Sequence, residues 1–368
     1  MNKVLHLFRY LVGILFIISG LIKVNDPVGT QIKLEEYFQV FASDFSDAFL
    51  MLVPYALILS VFLSVLEVVL GVALLVRFKM KLTTTVLLLM IVFFTFLTFF
   101  SAYFNKVTDC GCFGDALKLT PWQSFTKDIV LLIMIGVLFF YRNRLEKPEG
   151  EKKGLSAATI AVVVTAILCT VIGWYAIAHL PFIDFRTYKE GNNIGELMQP
   201  SEPYRYTYIM VKDGKEYEFE KYPEATEGYE YKAIKLQNPE AQPVINDFSA
   251  WNEEGDYTAE LLKGNKLLVI VHAVDKAETE PMADIKQLTQ QLEGSAESLV
   301  LTSSGAASFD AFRHEQQLAL PYYLADATLL KTMIRSNPGL ILLKDGVVVK
   351  KWHYNDVPEA AEVKELLQ

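Results

Sequence analysis

The chain has 368 residues, 52% of them hydrophobic, with 34 Lys+Arg against 43 Asp+Glu and a formal net charge of −9. A mean hydropathy of +0.26 is high for a soluble protein, and the acidic balance argues against a nucleic-acid partner, because phosphate binding needs a basic surface. Three cysteines, Cys110, Cys112 and Cys169, are too few for a fold built on disulfides.

Charge divides the chain near Pro181: residues 1–180 carry a net of +3 and residues 181–368 a net of −12. A hydrocarbon core about 30 Å thick takes roughly 20 apolar residues of helix. Five stretches reach or approach that length. The first runs from Val4 to Ile22, and no small-x-small cleavage pattern follows it, so it is expected to stay as an anchor. The second runs from Leu52 to Val76 and the uncharged third from Leu82 to Phe104. The fourth, Ile129–Tyr141, spans only if Trp122–Asp128 form its interfacial first turns; the fifth runs from Leu155 to Leu180.

Basic residues cluster in alternate segments: Lys3 and Arg9; then Arg77, Lys79 and Lys81; then Arg142, Arg144, Lys147, Lys152 and Lys153. Lys/Arg-rich short loops stay in the cytoplasm. This predicts a multi-pass protein of the cell (inner) membrane with a cytoplasmic N-terminus. The 105–126 loop and the acidic C-terminal half are then extracytoplasmic.

That outer loop reads Thr108-Asp109-Cys110-Gly111-Cys112-Phe113-Gly114-Asp115. Cysteines one residue apart can close a cramped disulfide ring, helped by Gly111, and strain makes such a bridge easier to reduce. Asp109 and Asp115 oppose thiolate formation, and Lys106 and Lys118 offset them if the loop turns them inward. Three readings stay open: a redox-active pair with Cys110 and Cys112 as the catalytic sulfurs, a static bridge, or two thiols. The spacing is not that of a zinc site and no metal is expected. Cys169, inside an apolar helix, reads as packing.

Glu67 is the ionisable residue inside the second span, and a carboxylate in a bilayer is a functional candidate. It reads as a proton relay, a contact for a quinone headgroup, or a protonated acid bonded to a neighbouring helix. Because its helix runs inward, Glu67 is expected away from Cys110. Lys23, at the outer end of the first span, could meet a thiolate or a quinone oxygen, or snorkel to the interface. No quinone is certain from these residues.

Cys110-Gly111-Cys112-Phe113-Gly114-Asp115 between two spans resembles the signature of the MauE branch of the DoxX-like membrane proteins. Gly20-Leu21-Ile22-Lys23, Asn25-Asp26-Pro27 and Glu67-Val68-Val69-Leu70-Gly71 resemble further parts of that family over residues 1–145. The resemblance implies a four-helix membrane bundle and thiol or quinone redox chemistry. Its MauE members are linked to disulfide formation in methylamine dehydrogenase maturation. This chain adds a fifth helix (residues 146–180) and a large further domain.

Beyond Pro181, Tyr204–Val211 and Glu216–Phe219 around Asp213-Gly214 predict a β-hairpin within a β-rich extension over 181–243. From 244 to 368 strands are predicted at Lys266–His272, Ser298–Thr302, Leu340–Leu343 and Val347–Trp352. Helices are predicted at Pro281–Leu292, Phe309–Leu318, Leu329–Ile334 and Pro358–Leu367. Such alternation argues an α/β sandwich. The order resembles a thioredoxin-like domain with Pro338 as its cis-proline, but without cysteine it cannot exchange dithiols itself. His272, at a strand end beside the vacant site, and Pro338 mark a cleft that could hold a peptide or partner. The other reading is a rigid platform.

Two functions follow. One is a membrane redox protein exchanging disulfides at the Cys loop with an extracytoplasmic thiol protein, its outer domain docking the partner. The other is a non-catalytic scaffold or assembly factor that binds envelope proteins. A transporter is the weaker third reading, because the helices beyond Glu67 offer few polar groups.

Overall fold

A computed structural model describes residues 2–107, 111–145, 156–223 and 228–368. The chain forms two compact units, Met1–Arg186 and Thr187–Gln368.

The first unit is helical. Helix α1 spans Asn2–Asn25, α2 Pro27–Asp44, α3 Ala56–Val76, α4 Met80–Phe104, α5 Pro121–Phe140, α6 Arg142–Leu145 and α7 Ala157–Ala178. Five helical segments are long and apolar enough to cross a membrane: Lys3–Asn25, Asp47–Val76, Met80–Phe104, Pro121–Phe140 and Ala157–Ala178. The second is 3-10 helix over Asp47–Tyr55 before α3 begins. Ile58, Phe62, Leu89, Ile133, Phe140 and Trp174 point outward, as a bilayer-facing surface requires, while each helix satisfies its own backbone polar groups. The protein is a multi-pass membrane protein.

α1 and α3 pack at very short range. A Cβ added at Gly20 would fall 2.6 Å from Val68 Cγ2 and 2.9 Å from the Val68 backbone nitrogen. Small residues permit such backbone approach where apolar burial alone gives membrane helices no drive to associate. Buried Leu5, Val12, Phe16, Leu70 and Leu74 continue the seam. Trp122–Asp128 do form the first turns of the fourth span: Pro121 holds the N1 position, and Thr120 and Gln123 close a reciprocal capping box. Cys169 packs with Val24 and Val68.

α2 fills the stretch between the first two membrane-spanning segments. Asp26 caps it by accepting from the Gly29 N–H at 2.8 Å, and Pro27 starts it. Its Leu34, Tyr37 and Phe41 form one buried face, with Phe41 set edge-on against Phe100 of α4 at 5.0 Å between ring centres.

The second unit is α/β. Strands β1 (Tyr206–Lys212), β2 (Lys215–Phe219) and β3 (Glu230–Leu236) make an antiparallel sheet in the order β2-β1-β3. Asp213 and Gly214, both at positive φ, form the predicted hairpin turn; β3 was not predicted. A second sheet takes β4 (Trp251–Asn252), β5 (Gly255–Asp256), β6 (Asn265–Val271), β7 (Glu297–Thr302), β8 (Tyr322–Leu324), β9 (Gly339–Lys344) and β10 (Val347–His353). Its order is β10-β9-β6-β7-β8-β4-β5. β6, β7 and β8 run parallel; β9 pairs antiparallel with β6, and β10 pairs antiparallel with β9.

The helices here are α8 (Ile194–Leu197), α9 (Thr258–Leu261), α10 (Met282–Gln291), α11 (Ala306–Glu315), α12 (Ala327–Met333) and α13 (Ala360–Leu366). Met282, Ile285 and Leu288 of α10, Phe309 and Phe312 of α11 and Val363 of α13 share one core with Leu267, Val269 and Val271 of β6. The alternate β6 residues Leu268 and Ile270 are just as buried, so the strand is covered on both faces, which is why it reads as an unbroken apolar run.

Candidate functional site

Cys110, with Thr108 and Asp109, lies outside the described residues. Cys112 is half-buried, and its surroundings can be built up helix by helix. On α1, Ser19 and Lys23 stand one turn apart and share a face. Opposite them on α3 is Glu67, admitted because Gly20 has no side chain to hold α3 away.

Lys23 Nζ donates to Glu67 Oε2 at 2.7 Å and to Ser19 Oγ at 3.2 Å. The Ser19 hydroxyl lies 3.0 Å from Glu67 Oε1 and 2.8 Å from the backbone carbonyl of Cys112. Having one proton, it can donate to either while accepting from Lys23. Lys23 is 8% exposed and Glu67 4%, and the ammonium stands 5.0 Å from the Phe94 ring centre.

Glu67 thus reaches the Cys loop at Cys112 through the Ser19 hydroxyl; Cys110, from which it was expected to lie apart, is outside the described residues. The loop folds back onto the bundle, so that one hydroxyl spans from Glu67 to the Cys112 carbonyl. Gly111 (φ 64) and Gly114 (φ 49) adopt left-handed backbone there, and the Gly114 N–H closes a turn on the Gly111 carbonyl at 3.1 Å. Lys23 and Glu67 are turned onto each other, so the hydrogen-bonding groups considered for a quinone already have partners.

A second ion pair stands beside Phe113, its carboxylate buried and its ammonium partly exposed. Asp128 of α5, 1% exposed, pairs with Lys127 and accepts from the Thr98 hydroxyl of α4 at 3.0 Å. The Lys127 ammonium sits 5.6 Å from the Phe113 ring centre. Ser19, Thr98, Lys127 and Asp128 were not singled out from sequence. Lys106, expected to offset the loop's acids, instead pairs with Asp44 at the end of α2, and Lys118 is exposed.

In the second unit, His272 follows β6 and the Asn337–Pro338 peptide, which is cis, precedes β9. The Asn337 side-chain amide donates to the Ala273 carbonyl at 2.8 Å, and the Glu278 N–H donates to the Asn337 carbonyl at 3.0 Å. The two predicted residues therefore stand on adjoining, hydrogen-bonded segments. His272 Nδ1 and Asn337 Oδ1 are buried without a hydrogen-bond partner. Burial, and then the charges of Lys331 and Lys276, push the His272 imidazolium down to a pKa of about 4, so the ring is neutral at pH 7.

No solved structure matches the chain. Protein TlpB of Flavobacterium psychrophilum is 26% identical over 178 residues, which cover 47% of this chain and 44% of that protein. The chain thus spans less than half the length of this relative. The membrane part is MauE-like: residues 1–141 match the family model described as methylamine utilisation protein MauE.

Proposed function

We propose that the protein exchanges disulfides at Cys110 and Cys112 with a dithiol protein on the outer side of the membrane. The observation that carries this reading is the hydrogen bond from Ser19 to the Cys112 carbonyl, made from inside the buried Lys23–Glu67 pair. Charged groups within a membrane are costly and mark function; here they support the segment that bears the sulfur. Thiolate attack through a mixed disulfide is the chemistry such a pair performs. The outward sidedness is supported by the placement of Lys and Arg in alternate loops. No step is routed through a quinone.

Residues 1–145 would form the redox-bearing bundle, 146–180 the cytoplasmic loop and fifth span, and 181–243 an extension. Residues 244–368 would form a thioredoxin-like domain stripped of its cysteines. The β9–β6–β7 order and the cis Pro338 support that last assignment. We assign to this domain, through the cleft at His272 and Pro338, the docking of an envelope partner.

The experiment is redox trapping in intact cells with a membrane-impermeant maleimide. The wild-type pair is expected to shift between blocked and alkylated forms when external reductant or a dithiol protein is supplied. A pair that never changes state under either treatment refutes the exchange. A scaffold without chemistry is the second reading, favoured by the absence of cysteine from residues 170–368. Full complementation by a C110S/C112S double variant would select it.

A further inference from the structure

We propose that Arg9 and Arg77 hold the phosphate of an anionic phospholipid between α1 and α3, at the end of the bundle away from the Cys loop. The site depends neither on the exchange reaction nor on which side of the membrane the loop faces.

The two helices reach across to each other there. From α1, Arg9 Nη1 donates to the Leu75 carbonyl in the last turn of α3 at 3.1 Å, and its guanidinium lies 4.5 Å from the Tyr10 ring centre. From α3, Arg77 takes the left-handed C-cap position (φ 57) and sets its Nη2 3.5 Å from His6 Nδ1. His6 and Arg9, three residues apart, share a face of α1. The two guanidiniums therefore stand at one helix crossing. Ser19, which meets the Cys112 carbonyl, is ten residues further along α1, roughly 15 Å away.

This crossing lacks negative charge. Residues 1–25 and 68–108 contain no Asp or Glu, and Glu67, before them on α3, is turned to Lys23. Among the described residues no carboxylate pairs with Arg9 or Arg77; they meet a carbonyl, a ring and an imidazole. Arg9 is only 3% exposed, and its Nε is buried without a hydrogen-bond partner. Burying a charge is costly unless it is paired and hydrogen-bonded. The other buried charged residues of the spanning helices, Lys23, Glu67 and Asp128, each face an opposite charge; Arg9 does not. A cation is favourable at a helix C-terminus, and Arg9 serves α3 in that way, but the Leu75 carbonyl uses one of the five donors of a guanidinium.

The anion that suits this crossing has a defined chemistry. Guanidinium forks take phosphate oxygens bidentately, and lipid headgroups bring phosphate to basic pockets between spanning helices. Two cations without an acid favour a headgroup that brings no amine of its own, hence an anionic lipid over a zwitterionic one. Arg77 is half-buried and takes the phosphate first. Its 3.5 Å contact with His6 is long for a hydrogen bond, and a phosphate oxygen replaces it. That oxygen also brings negative charge to Arg9 behind it.

The test uses the full chain in uncharged detergent micelles. Native mass spectrometry follows lipid retention as phosphatidylglycerol or phosphatidylcholine is titrated in. Wild type should retain phosphatidylglycerol more tightly than phosphatidylcholine. Each cation removed should weaken phosphatidylglycerol binding about 5-fold, so R77Q loses about 5-fold and R9Q/R77Q about 25-fold. Phosphatidylcholine binding should not move. K118Q, an exposed change at the opposite end of the bundle, should match wild type. Should R9Q/R77Q fail to fold, R77Q decides alone, because Arg77 follows the last turn of α3 and is only half-buried. Inorganic phosphate at the same concentration should leave the bound lipid in place; displacement would assign the site to a free anion and overturn the lipid. Equal retention of the two lipids, phosphatidylglycerol binding that R77Q leaves unchanged, or an equal loss in K118Q each overturns the site.

Discussion

The buried Lys23–Glu67 pair gives the most demanding prediction. In E67L the Lys23 ammonium loses its 2.7 Å partner and retains Ser19 at 3.2 Å and the face of Phe94 at 5.0 Å. A neutral hydroxyl and a ring return only about 1–2 kcal/mol of what the carboxylate supplied. Orphaning one member of a buried pair costs about 3–5 kcal/mol, so E67L should lose at least about 3 kcal/mol. K23M should lose a similar amount by stranding Glu67. K23M/E67L removes both charges, and apolar replacement of a whole pair is close to neutral. The double variant should therefore lie within about 1 kcal/mol of wild type instead of summing the two losses. Unfolding of the full chain in mixed micelles with increasing SDS, followed by far-UV circular dichroism, measures all four corners of this cycle. Two outcomes would refute the reasoning: singles within about 0.5 kcal/mol of wild type, the usual range of surface changes, or a double as damaged as the sum.

Gly20→Leu should separate α1 from α3, since even a Cβ there meets the Val68 backbone at 2.9 Å. A loss of about 1–3 kcal/mol is expected in the same unfolding assay, together with faster alkylation of Cys112 as its Ser19 anchor is displaced. Thr120→Ala removes one side of the capping box at α5 and should cost about 1 kcal/mol; an unchanged unfolding midpoint would count against the cap. His272 carries a pH signature. Its folded pKa of about 4 lies below the ordinary 6.5, so the unfolded chain binds the proton first as pH falls. Stability should be full above pH 6.5, fall between 6.5 and 4 by up to about 3 kcal/mol, and level off below. H272F should flatten that slope in urea titrations across the window.

The spans were legible because a bilayer imposes a length and polarity rule that survives every detail of packing, and the five apolar runs obey it. α2 was not, because its buried face is only Leu34, Tyr37 and Phe41 among polar neighbours. Its helical spacing and the Asp26-Pro27 start are nevertheless in the sequence. β6, β7 and β9 carry unbroken apolar or β-branched runs and β10 opens on three valines, and all four were placed correctly. β4, β5 and β8, two or three residues each, and the tyrosine-rich β3 offered no comparable pattern. At the site, Lys23 and Glu67 were each visible as charges in apolar surroundings. Their pairing was not, since it depends on the register that Gly20 sets between α1 and α3. Lys127 and Asp128 were hidden differently: adjacent opposite charges in the first turns of a span resemble an interfacial collar, and only the bond to Thr98 across to α4 shows Asp128 to be buried.

The two pairs together explain how this bundle can carry these four ionisable side chains. Each ammonium is matched by a carboxylate, Lys23 by Glu67 and Lys127 by Asp128, so the segment adds no net charge to the bundle. The remaining lone pairs are met by hydroxyls from neighbouring helices, Ser19 on α1 and Thr98 on α4, which is the condition under which a buried ion pair becomes tolerable. The pairs then differ in what they present to the loop: the first offers a hydroxyl to the Cys112 backbone carbonyl, and the second sets its ammonium 5.6 Å from the Phe113 ring centre. The place of the Ser19 hydroxyl depends on the first pair, so K23M/E67L should change the accessibility of Cys112 to alkylation even where stability is kept.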